Sequence, residues 1–285
     1  MITRRAFLRS SSAAAAAWAA APLRAHAQGA PRIGIQLYTV RERAEADLAG
    51  TLKLLKDVGY EEVEVYGGVY PRPAAELRRA IADHGLGVPS GHFGYENLGE
   101  MLDYAGALGL RWMVCPMLPR AMWDTADAFK RAADQFNTWG GQVRARGMRF
   151  AYHNHNFEFA RIGDTTGFEI LVANTDPSAV FFELDLYWAA QAGRDPARTI
   201  RDLGSRVRLL HVKDRRPGAP TSQTLDAASA HFTEVGTGSL DFKAIASAAR
   251  GAGVEHLFIE QDRIDGPVPE SLRTSHDNAR RLFTP

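Results

Sequence analysis

The chain is predicted to fold as a single α/β domain, a (β/α)8 TIM barrel, and three observations carry that prediction. Short β-branched or aromatic runs alternate with amphipathic helical stretches eight times after a leader, and alternation of this kind implies a parallel sheet. Glycines stand between helices and the strands that follow them, as at Gly59, Gly85, Gly109 and Gly147. Eight such units in about 250 residues are the size of a closed barrel. The rival, an open doubly wound sheet, calls for a glycine-rich fingerprint after its first strand. Here Thr39-Val40-Arg41-Glu42 stands instead.

The first strand is expected over 32–38. Asp47 can cap a helix whose Leu48, Leu52 and Leu55 share a face, and Gly59 ends it before the strand Glu62-Val63-Glu64-Val65-Tyr66. Pro73 suits a first helical turn, Leu77 and Ile81 share a face, and Gly85 precedes a strand over 86–92. Leu98, Met101, Leu102, Ala105 and Leu108 lead to Gly109 and a strand over 111–117. A longer helix carrying Phe129, Ala132, Phe136 and Val143 ends at Gly147, ahead of 148–155. The remaining strands are expected over 180–185, 207–213 and 256–261. Between the seventh strand and its helix, 215–239 is rich in Pro, Gly, Ser and Thr; it reads as an active-face wall or lid, or as a passive loop.

Residues 1–27 read as leader rather than fold. Thr3-Arg4-Arg5-Ala6-Phe7-Leu8-Arg9 precedes an alanine-rich apolar stretch, and Ala25-His26-Ala27 places small residues at a cleavage site. The pattern resembles a twin-arginine signal peptide, which implies export to the periplasm and a mature barrel over 28–285. The apolar stretch is short for a membrane span, so no membrane partner is expected after cleavage. Taking the leader's four arginines from a formal net charge of +1 leaves −3. A mildly acidic body is a poor match for nucleic acid. The single cysteine, Cys115, lies in an apolar run and reads as core.

The chemistry gathers at the strand ends. Tyr152-His153-Asn154-His155, Leu184-Asp185-Leu186, His211-Val212-Lys213-Asp214 and Ile259-Glu260-Gln261 each close a predicted strand. Side chains alternate along a strand, so His153 and His155 share a face, as do Glu183 and Asp185, His211 and Lys213, and Glu260 and Asp262. A buried, unpaired carboxylate is expensive, and one divalent cation shared by Asp185, His211 and Glu260 would relieve that cost. Mixed oxygen and nitrogen ligands suit manganese, cobalt or zinc better than calcium. Glu183, one layer deeper, reads as an internal ion-pair partner. Trp188 and Tyr187 follow Asp185 and can be a sugar-stacking platform or rim packing.

At this point the chain resembles the sugar phosphate isomerase/epimerase family of xylose-isomerase-like barrels, over essentially all of the mature sequence. The resemblance rests on Gly34-Ile35-Gln36-Leu37-Tyr38, Ser90-Gly91-His92, Tyr152-His153-Asn154-His155-Asn156-Phe157-Glu158-Phe159, Leu184-Asp185, His211-Val212-Lys213-Asp214, Glu234-Val235-Gly236-Thr237-Gly238 and Ile259-Glu260. It implies one divalent metal held by Glu, Asp, His and Glu from strands five to eight. Asp185, His211 and Glu260 match by position, whereas His153 stands where a glutamate is expected, leaving His153 or Glu158 as the strand-five ligand.

The resemblance further implies proton transfer beside a carbonyl, through an enediolate, in a carbohydrate. Glu260 is the first candidate base, with His155 or Glu158 on the opposite face. Lys213, as a further catalytic residue, and His92 are expected to orient hydroxyls or polarise the carbonyl, and Tyr38 and Trp188 to bind the substrate. Isomerisation or epimerisation of an unphosphorylated sugar or keto-sugar is the leading expectation. The alternatives are a lyase or dehydratase acting on a keto-glycoside, which the histidine in place of glutamate favours, and an exported sugar-binding protein without turnover. A nuclease of the same superfamily would need a larger ligand set and a basic surface. A homo-oligomer is left open.

Overall fold

The computed structural model describes residues 31–226 and 230–284, so the leader read at 1–27 lies outside the described residues. Eight parallel strands close into one barrel: β1 (Arg32–Gln36), β2 (Glu62–Val65), β3 (Gly87–His92), β4 (Trp112–Cys115), β5 (Arg149–His153), β6 (Val180–Asp185), β7 (Val207–Val212) and β8 (His256–Ile259). Each pairs with its neighbours in chain order, and β1 closes on β8 through Arg32 opposite His256 and Ile35 opposite Ile259.

One principal helix follows each strand: α1 (Leu48–Val58), α2 (Ala74–Asp83), α3 (Leu102–Leu108), α4 (Ala126–Ala145), α5 (Gly167–Asn174), α6 (Pro196–Leu203), α7 (Phe242–Ala252) and α8 (Val268–Phe283). Their starts are set by side chains that satisfy the free amides of the first turn. Asp47 accepts from Gly50 N at 2.9 Å, and Thr166 with Glu169 forms a capping box on α5. Pro73 stands one residue before α2 rather than within it. Gly59, at φ 120°, turns the chain from α1 towards β2 in a conformation that other residues resist.

Six of the strands end one or two residues earlier than the apolar runs suggest, whereas β3 and β6 end at His92 and Asp185 as expected. Beyond Gln36 the chain turns into a 3-10 helix (Leu37–Val40), and the Gln36 side chain accepts from Tyr38 N at 3.1 Å. Beyond His153 it turns into another, Phe157–Phe159. At the C-terminal lip, polar side chains take over backbone amides that a longer sheet would have paired, and the strands stop there.

The alternation read from sequence assigns the faces correctly. Trp112, Val114, Ala151, Leu209 and Phe258, with Phe181 against them, fill the lower barrel. Gly34 makes room for that plug, since a Cβ there would lie 2.7 Å from the Phe258 ring and 2.8 Å from Glu62. Leu52, Leu55, Leu77, Ile81, Phe136 and Val143 pack between barrel and helices. Cys115 is buried there, its thiol pushed up to about 12 by burial, in keeping with a core role. No helix among the described residues is long and apolar enough to cross a membrane.

Candidate metal and active site at the barrel mouth

Above the apolar plug the barrel interior turns polar. Asp185 at the end of β6, His211 on β7 and Glu260 just beyond β8 bring one ligand atom each within 4.8 Å of one another. His211 Nδ1 lies 2.8 Å from Glu260 Oε2. The Lys213 ammonium sits 2.6 Å from Glu260 Oε2, 2.7 Å from Asp262 Oδ1 and 3.2 Å from Asp185 Oδ2. Burial alone would raise the Glu260 carboxyl, but Lys213 and His211 outweigh it and hold Glu260 well below the ordinary carboxylate range. Asp185 differs. Its Oδ1 accepts from Trp188 N at 2.7 Å, whereas Oδ2 is buried without a hydrogen bond, and burial pushes the acid up to about 6. A buried carboxylate oxygen that makes no hydrogen bond and shares the Lys213 ammonium with two other carboxylates is one a cation would satisfy, and two carboxylates with one imidazole suit a divalent first-row ion. The residues fit such an ion.

His153 stands between this group and a deeper one. Its Nε2 lies 3.8 Å from Asp185 Oδ2, and its Nδ1 is 3.1 Å from Glu183 Oε2. Glu183 has the buried partner role read from sequence, with His92 Nε2 at 2.7 Å and His211 Nε2 at 3.1 Å from the same oxygen. Glu64 completes the layer. It accepts from Gln36 Nε2 at 2.8 Å and from Ser90 Oγ, and its Oε2 lies 2.6 Å from His211 Nε2. Burial would lower His92, yet Glu64 and Glu183 raise it to about 9. Sequence reading gave no role to Glu64, nor to Ser90 and Gln36 beyond their place in the motifs that carry the resemblance. The available signal was Glu62-Val63-Glu64-Val65, whose period of two points both glutamates into the barrel while the valines pack outward.

Over these layers opens a cavity of about 380 Å³ whose lining includes Tyr38, His92, His155, Trp188, Lys213 and Glu260. All of these were candidate site residues. Tyr66, Tyr70 and Phe93 add an aromatic wall, and Tyr38 meets Tyr66 edge-on with ring centres 5.5 Å apart. Burial and the nearby Lys213 charge keep His155 neutral, at about 3. Glu158 is set apart from this space. Its carboxylate accepts from Tyr152 Oη at 2.6 Å and from His155 N at 2.9 Å, on the helix-facing side of β5, so it braces the backbone that carries His155. The proton-transfer role considered for Glu158 is therefore corrected: the chain turns after Asn156, but it turns this side chain outward.

The described residues of the 215–239 segment form a wall. Asn156 Nδ2 donates to Ser222 O and Thr224 O at 2.9 and 3.0 Å, Gln191 Nε2 donates to Pro220 O, and Leu225 reaches the cavity lining. Its neck is tied by Asp214, whose carboxylate accepts from the amides of Arg215, Gly236, Gly238 and Leu240 at 2.7–3.3 Å. This accounts for the Val235-Gly236-Thr237-Gly238 motif, since Cβ atoms at Gly238 would strike Asp214 and the Arg215 carbonyl. Asp214→Ala strands those amides, and a loss of about 3 kcal/mol in denaturant unfolding is expected. An unchanged midpoint would show that the neck does not depend on Asp214.

Comparison with known proteins follows the same lines. The family model described as xylose isomerase-like TIM barrel matches residues 52–282, and the chain belongs to that family. An inosose dehydratase from Geobacillus thermodenitrificans is 26% identical over 250 residues, covering 75% of this chain and 83% of that relative. The crystal structure of a sugar phosphate isomerase/epimerase from Parabacteroides distasonis superposes with a TM-score of 0.74 at 26% identity, covering 91% of this chain and 96% of that one. The structure of an IOLI protein with a binding zinc atom has the same fold, at a TM-score of 0.70 and 14% identity, covering 88% of this chain and 98% of that one.

Proposed function

We propose that this xylose isomerase-like barrel is a metal-dependent lyase that removes the proton beside a carbonyl of an unphosphorylated keto-sugar or keto-glycoside and expels the β-substituent. The observation that carries this reading is that Glu260 is the one carboxylate on the cavity wall among the proton-transfer candidates Glu260, His155 and Glu158, the other cavity carboxylate, Asp262, being held by Lys213 Nζ at 2.7 Å. The strand-five position that would hold the partner of Glu260 carries His153, turned to Glu183. A pair of carboxylates facing each other across the substrate serves isomerisation, which must return the proton to a second carbon. A single base serves elimination.

Ionised Glu260 takes the α-proton, and the electron pair of the broken C–H bond forms the new carbon–carbon double bond as the β-oxygen departs with its own bonding pair. Glu260 then hands its proton to the departing oxygen, so water or an alcohol leaves and the base is restored. Lys213 Nζ, 2.6 Å from Glu260, keeps that carboxylate ionised and presents its charge towards the substrate oxygens. Neutral His155 and the Tyr38 and Trp188 rings position the sugar. A divalent ion held by Asp185, His211 and Glu260 would supply Lewis-acid polarisation of the carbonyl. The inosose dehydratase relative supports elimination. The leader read at 1–27 supports export, hence a substrate without phosphate, and the carboxylates of Glu260 and Asp262 at the cavity favour an uncharged ligand.

Isomerisation or epimerisation is the second reading, favoured by His155, which of the two groups expected opposite Glu260 is the one that lines the cavity. Incubation with keto-glucosides in deuterated solvent separates the readings. Elimination is expected to release the β-substituent and produce enone absorbance, and Glu260→Gln to slow it by about 10²–10⁴-fold with binding retained. Deuterium appearing in an otherwise intact sugar would instead mark isomerisation, and binding without any exchange would mark a module that has lost turnover.

A further inference from the structure

We propose a second divalent-cation seat one layer below the first, formed by His92 on β3, His153 on β5, Glu183 on β6 and His211 on β7. One ligand atom from each of these four lies within 4.8 Å of every other, and the group shares only His211 with Asp185 and Glu260. The two ring nitrogens of His211 face the two groups, Nδ1 towards Glu260 and Nε2 towards Glu183 and Glu64.

The hydrogen bonding of this layer is uneven in a way that a cation would correct. Three imidazole nitrogens converge on one atom, Glu183 Oε2, at 2.7 Å from His92, 3.1 Å from His153 and 3.1 Å from His211. His211 Nε2 lies closer still to Glu64 Oε2, at 2.6 Å, which leaves His92 and His153 as the hydrogen-bonding partners of Glu183 Oε2. Meanwhile Glu183 Oε1 is buried and has no partner at all. An ion among the three nitrogens would take one lone pair from each and an oxygen from Glu183, and His211, shared with the upper ion, would bridge the two as an imidazolate, its last ring proton released to solvent. Tetrahedral zinc ligands stand about 3.3 Å apart, and the three nitrogens lie 2.7–3.1 Å from Glu183 Oε2, so the carboxylate would draw back from them to admit the ion. Glu64 Oε2, 3.2 Å from His92 Nε2, supplies a further oxygen at its edge.

Charge agrees. With His92 and His153 neutral and His211 bridging as an imidazolate, Glu64, Glu183, Asp185, Glu260, Asp262 and His211 against Lys213 leave five negative charges among these groups, enough to hold two divalent ions. Three nitrogens and a carboxylate select a borderline first-row metal such as zinc or cobalt over magnesium or calcium.

The test is zinc content and anomalous diffraction at the zinc edge, on the tag-free chain equilibrated with zinc and then desalted. The wild type is expected to hold two zinc ions. Asp185→Asn is expected to hold one, with its anomalous peak between His92, His153, Glu183 and His211. Adding either His92→Gln or Glu183→Gln to that variant should remove it. An Asp185→Asn chain that folds but binds no zinc, with no peak in the lower layer, overturns the second seat. The proposed reaction is judged separately, because it fails if Asp185→Asn still turns over, whatever zinc that variant holds.

Discussion

Asp185→Asn is expected to reduce turnover by about a thousandfold or more while leaving the melting temperature within about 3 °C of the wild type. The two halves of this result have different causes. Catalysis is lost because the neutral amide no longer supplies the anionic oxygen that the barrel mouth offers a divalent ion. Stability is kept because Asp185 Oδ2 makes no hydrogen bond in the fold, and burial already pushes the acid up to about 6. The carboxylate is thus a net electrostatic burden on the apo protein, and the amide removes it. The hydrogen bond the side chain makes, capping Trp188 N through Oδ1, is one an asparagine can perform, and the amide gives up the 3.2 Å ion pair with Lys213. Lys213 keeps Glu260 and Asp262 as partners. Steady-state kinetics and a thermal melt on the same preparation check both halves, and a fully active variant would refute the assigned ion site.

His211→Ala is expected to behave in the opposite way, losing bound metal and folding stability together. His211 is fully buried and touches Glu64, Glu183 and Glu260 within 3.1 Å. Burial alone would lower its pKa, but Glu183 and Glu260 raise it well above the ordinary histidine range, so it stands as a cation among three buried carboxylates. Removing one member of such a network leaves its partners uncompensated, at a cost of about 3–5 kcal/mol. For a domain of this size the melting temperature should fall by roughly 10 °C. Because both groups of metal-capable residues include His211, elemental analysis should find the variant empty. Wild-type metal content in a folded His211→Ala chain would mean that the ion is held elsewhere. The contrast between the two variants separates a residue that serves the ion alone from one that also holds the barrel's polar centre together.

Sequence alternation and tertiary closure contributed differently to this picture. The sequence by itself determined the eight βα units, the inward face of each strand, and the three residues Asp185, His211 and Glu260 that meet at the mouth. Period-two alternation and the glycines at helix ends are local properties, and a parallel barrel leaves those faces little choice. Even the role of Glu183 as a buried partner followed from its depth along β6. What only the tertiary structure decided was who faces whom across the barrel. Glu64 comes from a strand with no histidine or aspartate at its end, and Ser90 lies two residues before His92 on β3, yet the barrel's register joins the two to each other and sets Glu64 beside His211 and His92. Glu158 was undecidable from spacing, because its direction depends on a single turn after Asn156, and that turn aims it at Tyr152. His153 occupies the position expected of a glutamate ligand, but its two nitrogens are divided between Asp185 and Glu183. The physical reason is the same in each case. Parity along a strand is set by the backbone, whereas distance across a closed sheet is set by strand register and side-chain packing, which no local pattern encodes.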